Sequence, residues 1–519
     1  MEARSSTASD VVDAIHGEHH LASNALGLPQ VLFCIVTGSA PIAAMLFNDP
    51  WAIYGAGSAA PALFIWATVI FTIFSVGYVE MAKRVTAAGG FYSFVSHGFG
   101  QILGMGTATT IAGCYIVFAA GVTGVTAYFA NSTIADWTGV DVPVWAIEFF
   151  TLAVMVALAY FHVEFTARLL GVFLVIEVAA LLVFGVAALF QSKSGLHPAS
   201  LNPAGIFDDS NGAKATFGAG TLGIGFFGAF WSWIGFEMAP NYAEESRDPK
   251  KIMGPATYIS VIGLGVLYTF ITWMLVVAWG ADGVSKAGSD AINGLIPNVF
   301  APQTDRVFGF DLGSASLLTR AFQLTIVTGS FACQLAFFNT ATRYLFSMGR
   351  ENVLPRSLGR THRVHHSAFV ASSVVGVLCA GIIGMFLAYD SSTLGALTKL
   401  GTWAPMMGNI GILSLMALVS LAVLVYFVRD GAVNGASAIV RVVICPLVAS
   451  GGLVYAAYLL VDGRRTLGFA KGVFFIEYMQ WFPVAMFVAG AALALYYRAT
   501  DPARYAGIGR YLHEDVAAA

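Results

Sequence analysis

Charge is what this sequence has least of. Only 11% of its 519 residues are Asp, Glu, Lys or Arg, against about 25% in an ordinary soluble domain. That scarcity excludes a conventional soluble fold. The formal net charge of −3 points to no charged partner, and no nucleic-acid partner is expected. Cysteine is sparse too. The five, Cys34, Cys114, Cys333, Cys379 and Cys445, are odd in number and each lies in an apolar run. They read as small buried hydrophobes, not as a disulfide framework. None of the ten histidines falls within an apolar run. His16, His19 and His20 cluster near the start of the chain, where a solvated tail is the expectation and a weak metal site the alternative. The first 27 residues hold acids and no apolar stretch, so no signal peptide is expected. No G-x-S-x-G, H-E-x-x-H or phosphate-binding loop is found. An enzyme is therefore not expected, nor a cofactor or a metal. With no ATP-binding loop, any work must draw on ion or substrate gradients.

What the chain has in excess is apolar residues, 57% of the total, at a mean hydropathy of +0.75. They come in runs that match the roughly 20 residues needed to span a bilayer. Twelve segments are expected, at 28–47, 58–83, 101–131, 143–161, 164–191, 217–243, 254–280, 316–347, 367–389, 401–428, 437–461 and 474–498. The first ten, 28–428, form one core and 437–498 a further pair. Residues 1–27 and 499–519 are polar tails. No connection is long enough for a separate soluble domain. With the N-terminus inside, 17 of the 26 Lys and Arg fall on the inner side and the other 9 outside. Cytoplasmic termini in a multi-pass cell-membrane protein fit the positive-inside rule.

Two segments look broken. Segment one carries Gly38, Ser39, Ala40 and Pro41 near its middle, in "TGSAPI" (37–42). Segment six carries Gly235 and then Pro240, in "WSWIGFEMAP" (231–240). Proline removes a donor and clashes with the preceding turn, and glycine tolerates unusual backbone angles. Unwound backbone is tolerable in a membrane only if it is buried in protein or lines a wet cavity. Interruptions at matching places in two halves point to a transporter's binding site. Half-helix N-termini attract a carboxylate and freed carbonyls an ammonium, so a facing pair of breaks suits an amino acid.

At these residues the chain resembles the amino acid–polyamine–organocation (APC) family of secondary transporters. "TGSAPI" is similar to that family's G-S-G motif of the first helix, with Ala40 at the third glycine. "FWSWIGFEMA" (230–239) resembles the sixth-helix pattern W-S-F-I-G-V-E-S-A of arginine/agmatine antiporters. "AEESRDPKKIMGPA" (243–256), "GYVEMAKRVTAAGGFYSFVSHGFG" (77–100) and "ATRYLFSMGRENVLP" (341–355) resemble further family motifs, in family order. The resemblance implies an all-α integral membrane protein with a LeuT-like five-plus-five inverted repeat and discontinuous helices one and six. It implies a secondary active transporter of an amino acid coupled to a proton, with Na+ as the other candidate ion. The alternatives are an amino acid/amine exchanger, a polyamine or cationic amino acid permease and, more distantly, a non-transporting amino-acid sensor.

Carried over residue by residue, the resemblance implies that backbone at Gly38, Ser39 and Ala40 takes the substrate carboxylate. Carbonyls around Trp231, Ser232 and Ile234 take the ammonium, and Trp231 covers the side chain. Thr37 and Gly235 complete the candidate binding set. Ala40 in place of glycine, followed by Pro41, implies a carboxylate loop of altered shape. The side-chain wall is expected from 114–119 of segment three and parts of segments eight and ten, with Trp403 and Asn409 as either wall or packing residues. No Lys or Arg lies mid-span in that wall, which favours a neutral substrate.

Four glutamates lie in or near the spans. A charge at the bilayer centre costs about 2.5–3.5 kcal/mol on insertion scales. Glu80, beside Lys83 and Arg84, is expected to pair at the interface, and Glu148, near an end of segment four, to reach headgroups. Glu177 can be laid where many proton-linked members of the family carry a lysine. It reads either as a cation or proton site or as a hydrogen-bonded structural acid. Glu237 reads as a gate and proton-coupling carboxylate or as a tether between the two breaks, and the two roles are compatible.

Overall fold

The computed structural model describes residues 26–85, 89–160, 163–191, 195–208, 221–243, 245–292, 306–307, 310–311, 317–362, 365, 367–467 and 472–509. The histidine cluster, with residues 1–25 and 510–519 of the two tails, lies outside the described residues. The fold is helical apart from two short antiparallel strands, Arg306–Val307 and Phe310–Asp311.

Ten helical stretches among the described residues are long and apolar enough to cross a membrane. The first, Leu28–Arg84, runs for 57 residues and contains segments one and two. It changes direction at Gly57, whose φ of 58° is open to glycine at little cost. Segment four, Val144–Ala159, is apolar but shorter. Several helices start with proline in the first turn, where its missing N–H costs nothing. Segment seven, Pro249–Trp279, adds the Asp248 carboxylate, which accepts from Lys251 N at 3.3 Å.

Burial sorts the helices into a core and a shell. Within the most apolar stretch of each, 94% of segment six and 83% of segment three are buried, against 28% of segment eleven and 22% of segment twelve. Segment three, Gln101–Thr138, runs through the centre and packs on segments eight, ten and twelve. Small residues permit that approach, as is general in membrane bundles. A Cβ on Gly124 would lie 2.3 Å from the Ala396 carbonyl oxygen of segment ten. The shell helices turn their remaining Val, Leu, Ile and Phe side chains outward; Val377, Phe474 and Val488 are more than half exposed. In a bilayer such surface is met by lipid rather than water.

Two expectations about limits change. Segment one does not stop at 47. After a π-helical turn over Ala44–Asn48 it continues as Asp49–Ala56, because Pro50 sits in the first turn of the continued helix, where proline is tolerated. Segment ten begins before 401, with a π-helical turn over Ala396–Leu400 leading into Gly401–Arg429.

Candidate functional site

The first break is at Ala40. The helix Leu28–Ser39 ends there, and Ala40 takes a left-handed conformation, φ 38° and ψ 79°. That is a strained state for a residue with a Cβ. Pro41 then opens the next helical turn. The Ala40 N–H donates back to the Val36 and Thr37 carbonyls, both at 3.0 Å. The first N–H beyond the break, that of Ile42, donates to Glu177 Oε2 at 3.3 Å. A carboxylate from segment five, Val163–Gln191, thus caps the half-helix that follows Ala40, where the helix dipole favours negative charge.

The second break follows Trp231, where the helix Thr221–Trp231 ends. Ser232–Gly235 form turns, Gly235 reaches φ 133°, and a 3-10 helix runs over Phe236–Tyr242. The two breaks touch. A Cβ on Gly235 would lie 2.7 Å from the Gly38 carbonyl carbon and from Ser39 N, so only glycine fits. Ser39 Oγ donates to the Trp233 carbonyl at 3.1 Å, and Tyr268 OH donates to the Ser39 carbonyl at 3.1 Å. Glu237 folds back on its own break. Its Oε2 accepts from Gly235 N at 2.8 Å, its Oε1 accepts from Tyr115 OH, and its carbonyl accepts from Tyr78 OH at 2.6 Å. These bonds satisfy a carboxylate that is 3% exposed, as a buried polar group requires.

Beside the breaks lies a small cavity of about 20 Å³. Gly38, Ser39, Ala40 and Trp231, four of the sequence-derived candidates, line it. Phe47, Asn48, Val122, Val125 and Cys333 supply the rest of the wall with Ala43 and Ala44. Trp231 meets Phe47 edge-on, with ring centroids 5.4 Å apart, and leans on Phe118 and Phe227. Thr37, Ser232, Ile234 and Gly235 are buried around the breaks but do not line the cavity. Ser232 instead holds the wall, its Oγ accepting from Asn48 Nδ2 at 3.3 Å.

Several expectations need correction. The wall from segment three is Val122 and Val125, not 114–119, because Phe118 is turned against Trp231 and Phe337. Trp403 packs among Phe386, Tyr389 and Phe475, away from the cavity, and Asn409 does not line it either. Glu148 is 0% exposed, so it does not reach headgroups. Glu80 does pair, with Lys83 and with Arg441, both at 3.1 Å.

The sequence reading missed Asp49. It is 0% exposed and sits one helical turn beyond Met45, whose sulfur faces Thr272 at 4.0 Å. Its signal, an acid followed by proline at the end of an apolar run, looks like a loop. It also missed how two motif stretches meet. Arg343 donates to Glu245 Oε2 through Nη2 at 2.7 Å and Nε at 3.2 Å, and its guanidinium lies over Tyr242, 4.3 Å from the ring centroid. The same Glu245 backbone accepts from Leu26 N at 2.8 Å, and Arg247 N donates to the Leu26 carbonyl at 3.0 Å. The start of segment one is thereby clasped to the end of segment six.

Apolar helices, two touching breaks and a cavity beside them are the features of a multi-pass membrane protein of the transporter class. The chain belongs to the amino acid permease family, whose model matches residues 26–462. It is similar to a branched-chain amino acid permease of Bacillus subtilis (strain 168), 23% identical over 394 residues, 72% of this chain and 75% of that protein. A methylthioribose transporter of the same strain is 22% identical over 261 residues, 50% of this chain and 48% of that protein. A branched-chain amino acid permease of Lactococcus lactis subsp. cremoris (strain MG1363) is 24% identical over 311 residues, 57% of this chain and 62% of that protein.

Proposed function

We propose that this chain is a secondary active transporter that moves a neutral amino acid across the cell membrane, coupled to a proton. The observation that carries the reading is the contact of Gly38 and Ser39 with Gly235 beside a cavity. An amino acid bound there would lie against the backbone of 38–40 and against Trp231 of segment six. The lining is apolar and small, with Asn48 and Ser39 its polar side chains and no charged residue. That favours a neutral side chain, and two of the relatives are named for branched-chain amino acids. The carboxylate and ammonium would be held by backbone at 38–40 and 231–234, with Trp231 as the lid.

In this reading Leu28–Arg84 crosses the membrane twice and Val144–Ala159 once, giving twelve crossings. The first ten form the five-plus-five inverted repeat, and both termini are cytoplasmic. Glu237 is the coupling acid. It joins segment six to Tyr115 of segment three, so loading or loss of a proton there is felt at the break itself. Glu177 holds the outer half-helix through Ile42 N and is the second candidate. The test is uptake of radiolabelled leucine, lysine and putrescine into proteoliposomes with and without an inward proton gradient. Gradient-stimulated leucine uptake is expected. Uptake of none of the three, or of putrescine alone, refutes the reading.

A further inference from the structure

A second, larger hollow lies along the same helices that wall the cavity, further along segment three and on another face of segment eight. Ala130 and Ile134 of segment three, Ala146 and Phe150 of segment four, and Val327 and Phe331 of segment eight line a groove of about 570 Å³. Phe150 is 68% exposed, so the groove opens to the outside of the bundle. Its lining is hydrocarbon apart from threonine hydroxyls.

Two stripes set its length and its end groups. On segment eight, 320, 324, 327 and 331 fall on one helical face. On segment three, 126, 130, 134 and 137 do the same. Each stripe covers about 16 Å at 1.5 Å per residue, close to half of the roughly 30 Å hydrocarbon core. The first is headed by Arg320, which is exposed, and the second by Trp137, which is 46% exposed and donates to Gln323 Oε1 at 2.7 Å. Trp145, 54% exposed, stands at the head of segment four. Tryptophan concentrates at the level of lipid headgroups, and arginine is suited to phosphate. The helical faces that carry the groove therefore run about one leaflet in depth, with an apolar lined part and, beyond it, tryptophans and a cation.

We propose that this groove is a binding site for a glycerophospholipid of the leaflet on the Trp137 side, with one acyl chain between segments three, four and eight and the phosphate at Arg320. The site reports to the transport cavity through the same helices. Val122 and Val125, which face the cavity, precede the groove residue Thr126 by one turn and by one residue, and Cys333 faces the cavity two residues from Phe331. A chain seated in the groove holds segments three and eight at the spacing that forms the cavity wall.

The experiment is photolabelling of the full chain in proteoliposomes by phosphatidylglycerol with a diazirine-bearing acyl chain, with adducts mapped by mass spectrometry. Adducts concentrated on 146–151 and 327–331 are expected. Ala146→Trp, which fills the groove from the membrane side, is expected to reduce them at least fivefold. Arg320→Gln is expected to reduce them about threefold while leaving the size-exclusion profile of the purified protein unchanged. Adducts spread evenly over the exposed faces of segments eleven and twelve would overturn the proposal. So would labelling unchanged in both variants, or equal labelling by a diazirine fatty acid that lacks the phosphate.

Discussion

Gly235 and Gly38 stand in backbone contact: a Cβ on Gly235 would lie 2.7 Å from the Gly38 carbonyl carbon, and one on Gly38 would lie 3.2 Å from Gly235 Cα. The two substitutions are not equivalent. At Gly235 a methyl group meets main chain and also a φ of 133°, so the half-helices must separate. Gly235→Ala is expected to cost about 1–3 kcal/mol of strain and to lower amino-acid uptake more than tenfold. Gly38→Ala chiefly displaces the Met238 side chain, 3.3 Å away, and is expected to be milder. Uptake and thermal unfolding of both variants in detergent check the order; equal effects would show that the contact does not set the site.

Tyr115 supplies one of the donors that satisfy the Glu237 side chain, and Gly235 N the other. Tyr115→Phe leaves Oε1 buried without its donor and is expected to lower stability by about 1–3 kcal/mol. Glu237→Gln removes the exchangeable charge at similar size. If Glu237 carries the coupling proton, uptake by Glu237→Gln loses its dependence on external pH while counterflow exchange survives. A pH profile identical to wild type excludes it from coupling.

Glu177 caps the half-helix beyond Ala40 through Ile42 N. Gln at this position keeps an acceptor, so Glu177→Gln is expected to fold, whereas Glu177→Ala leaves the N–H unpaired at a cost of about 1–3 kcal/mol. Uptake in sodium-free and sodium-containing buffers separates the roles. Sodium stimulation present in wild type and lost in Glu177→Gln marks a cation site; the same ion response in both leaves Glu177 as a structural cap.

The pair Arg343–Glu245 is nearly fully buried, with side chains 9% and 3% exposed. Removing one partner of such a pair leaves a charge without compensation and costs about 3–5 kcal/mol. Arg343→Gln is therefore expected to unfold at a clearly lower temperature than wild type. The double variant Arg343→Gln with Glu245→Gln is expected to recover part of the loss. A double variant as unstable as the sum of the two singles would show that the groups act independently.

Asp390 lies in the connection after the helix Phe369–Tyr389, where it bonds Lys399 and accepts from Ser392 N at 2.9 Å. Lys399, followed by the Ser392 hydroxyl and N–H, holds its carboxyl down at about 2 against an ordinary 3.8. A lowered folded value means that ionised Asp390 stabilises the fold above about pH 3.8, and that this contribution fades as the pH falls through about 2. Asp390→Asn is expected to cost about 0.5–1 kcal/mol at pH 7 for a partly exposed pair. The difference in melting temperature should close between pH 4 and pH 2. A difference that does not change over that range would mean that the charge is not what stabilises the turn.

Much of the site was legible because its chemistry is local. Gly38–Pro41 and Gly235–Pro240 announce breaks wherever they stand in an apolar run, and Glu237 is conspicuous there. The motif marks Trp231 as the expected cover of the substrate side chain, and Trp231 lines the cavity. Asp49 was passed over and Glu148 misread for one reason. An acid near the end of a hydrophobic run looks interfacial, and whether the helix continues past it depends on neighbours distant in sequence. Val122, Val125 and Cys333 have no signal at all, since an apolar residue facing a cavity and one facing a neighbouring helix read alike.

The sequence by itself determined that this chain lies in a membrane, through apolar runs that water does not tolerate, and where two of its helices lose their regular backbone. Tertiary structure decided what those breaks meet. Ser39 and Trp233 are 194 residues apart in the chain and Ile42 and Glu177 are 135 apart. Contacts at such separations depend on how whole helices pack, with small residues setting the approach and buried polar groups demanding partners. Local composition carries the demand for a partner, and only the packed bundle supplies which one.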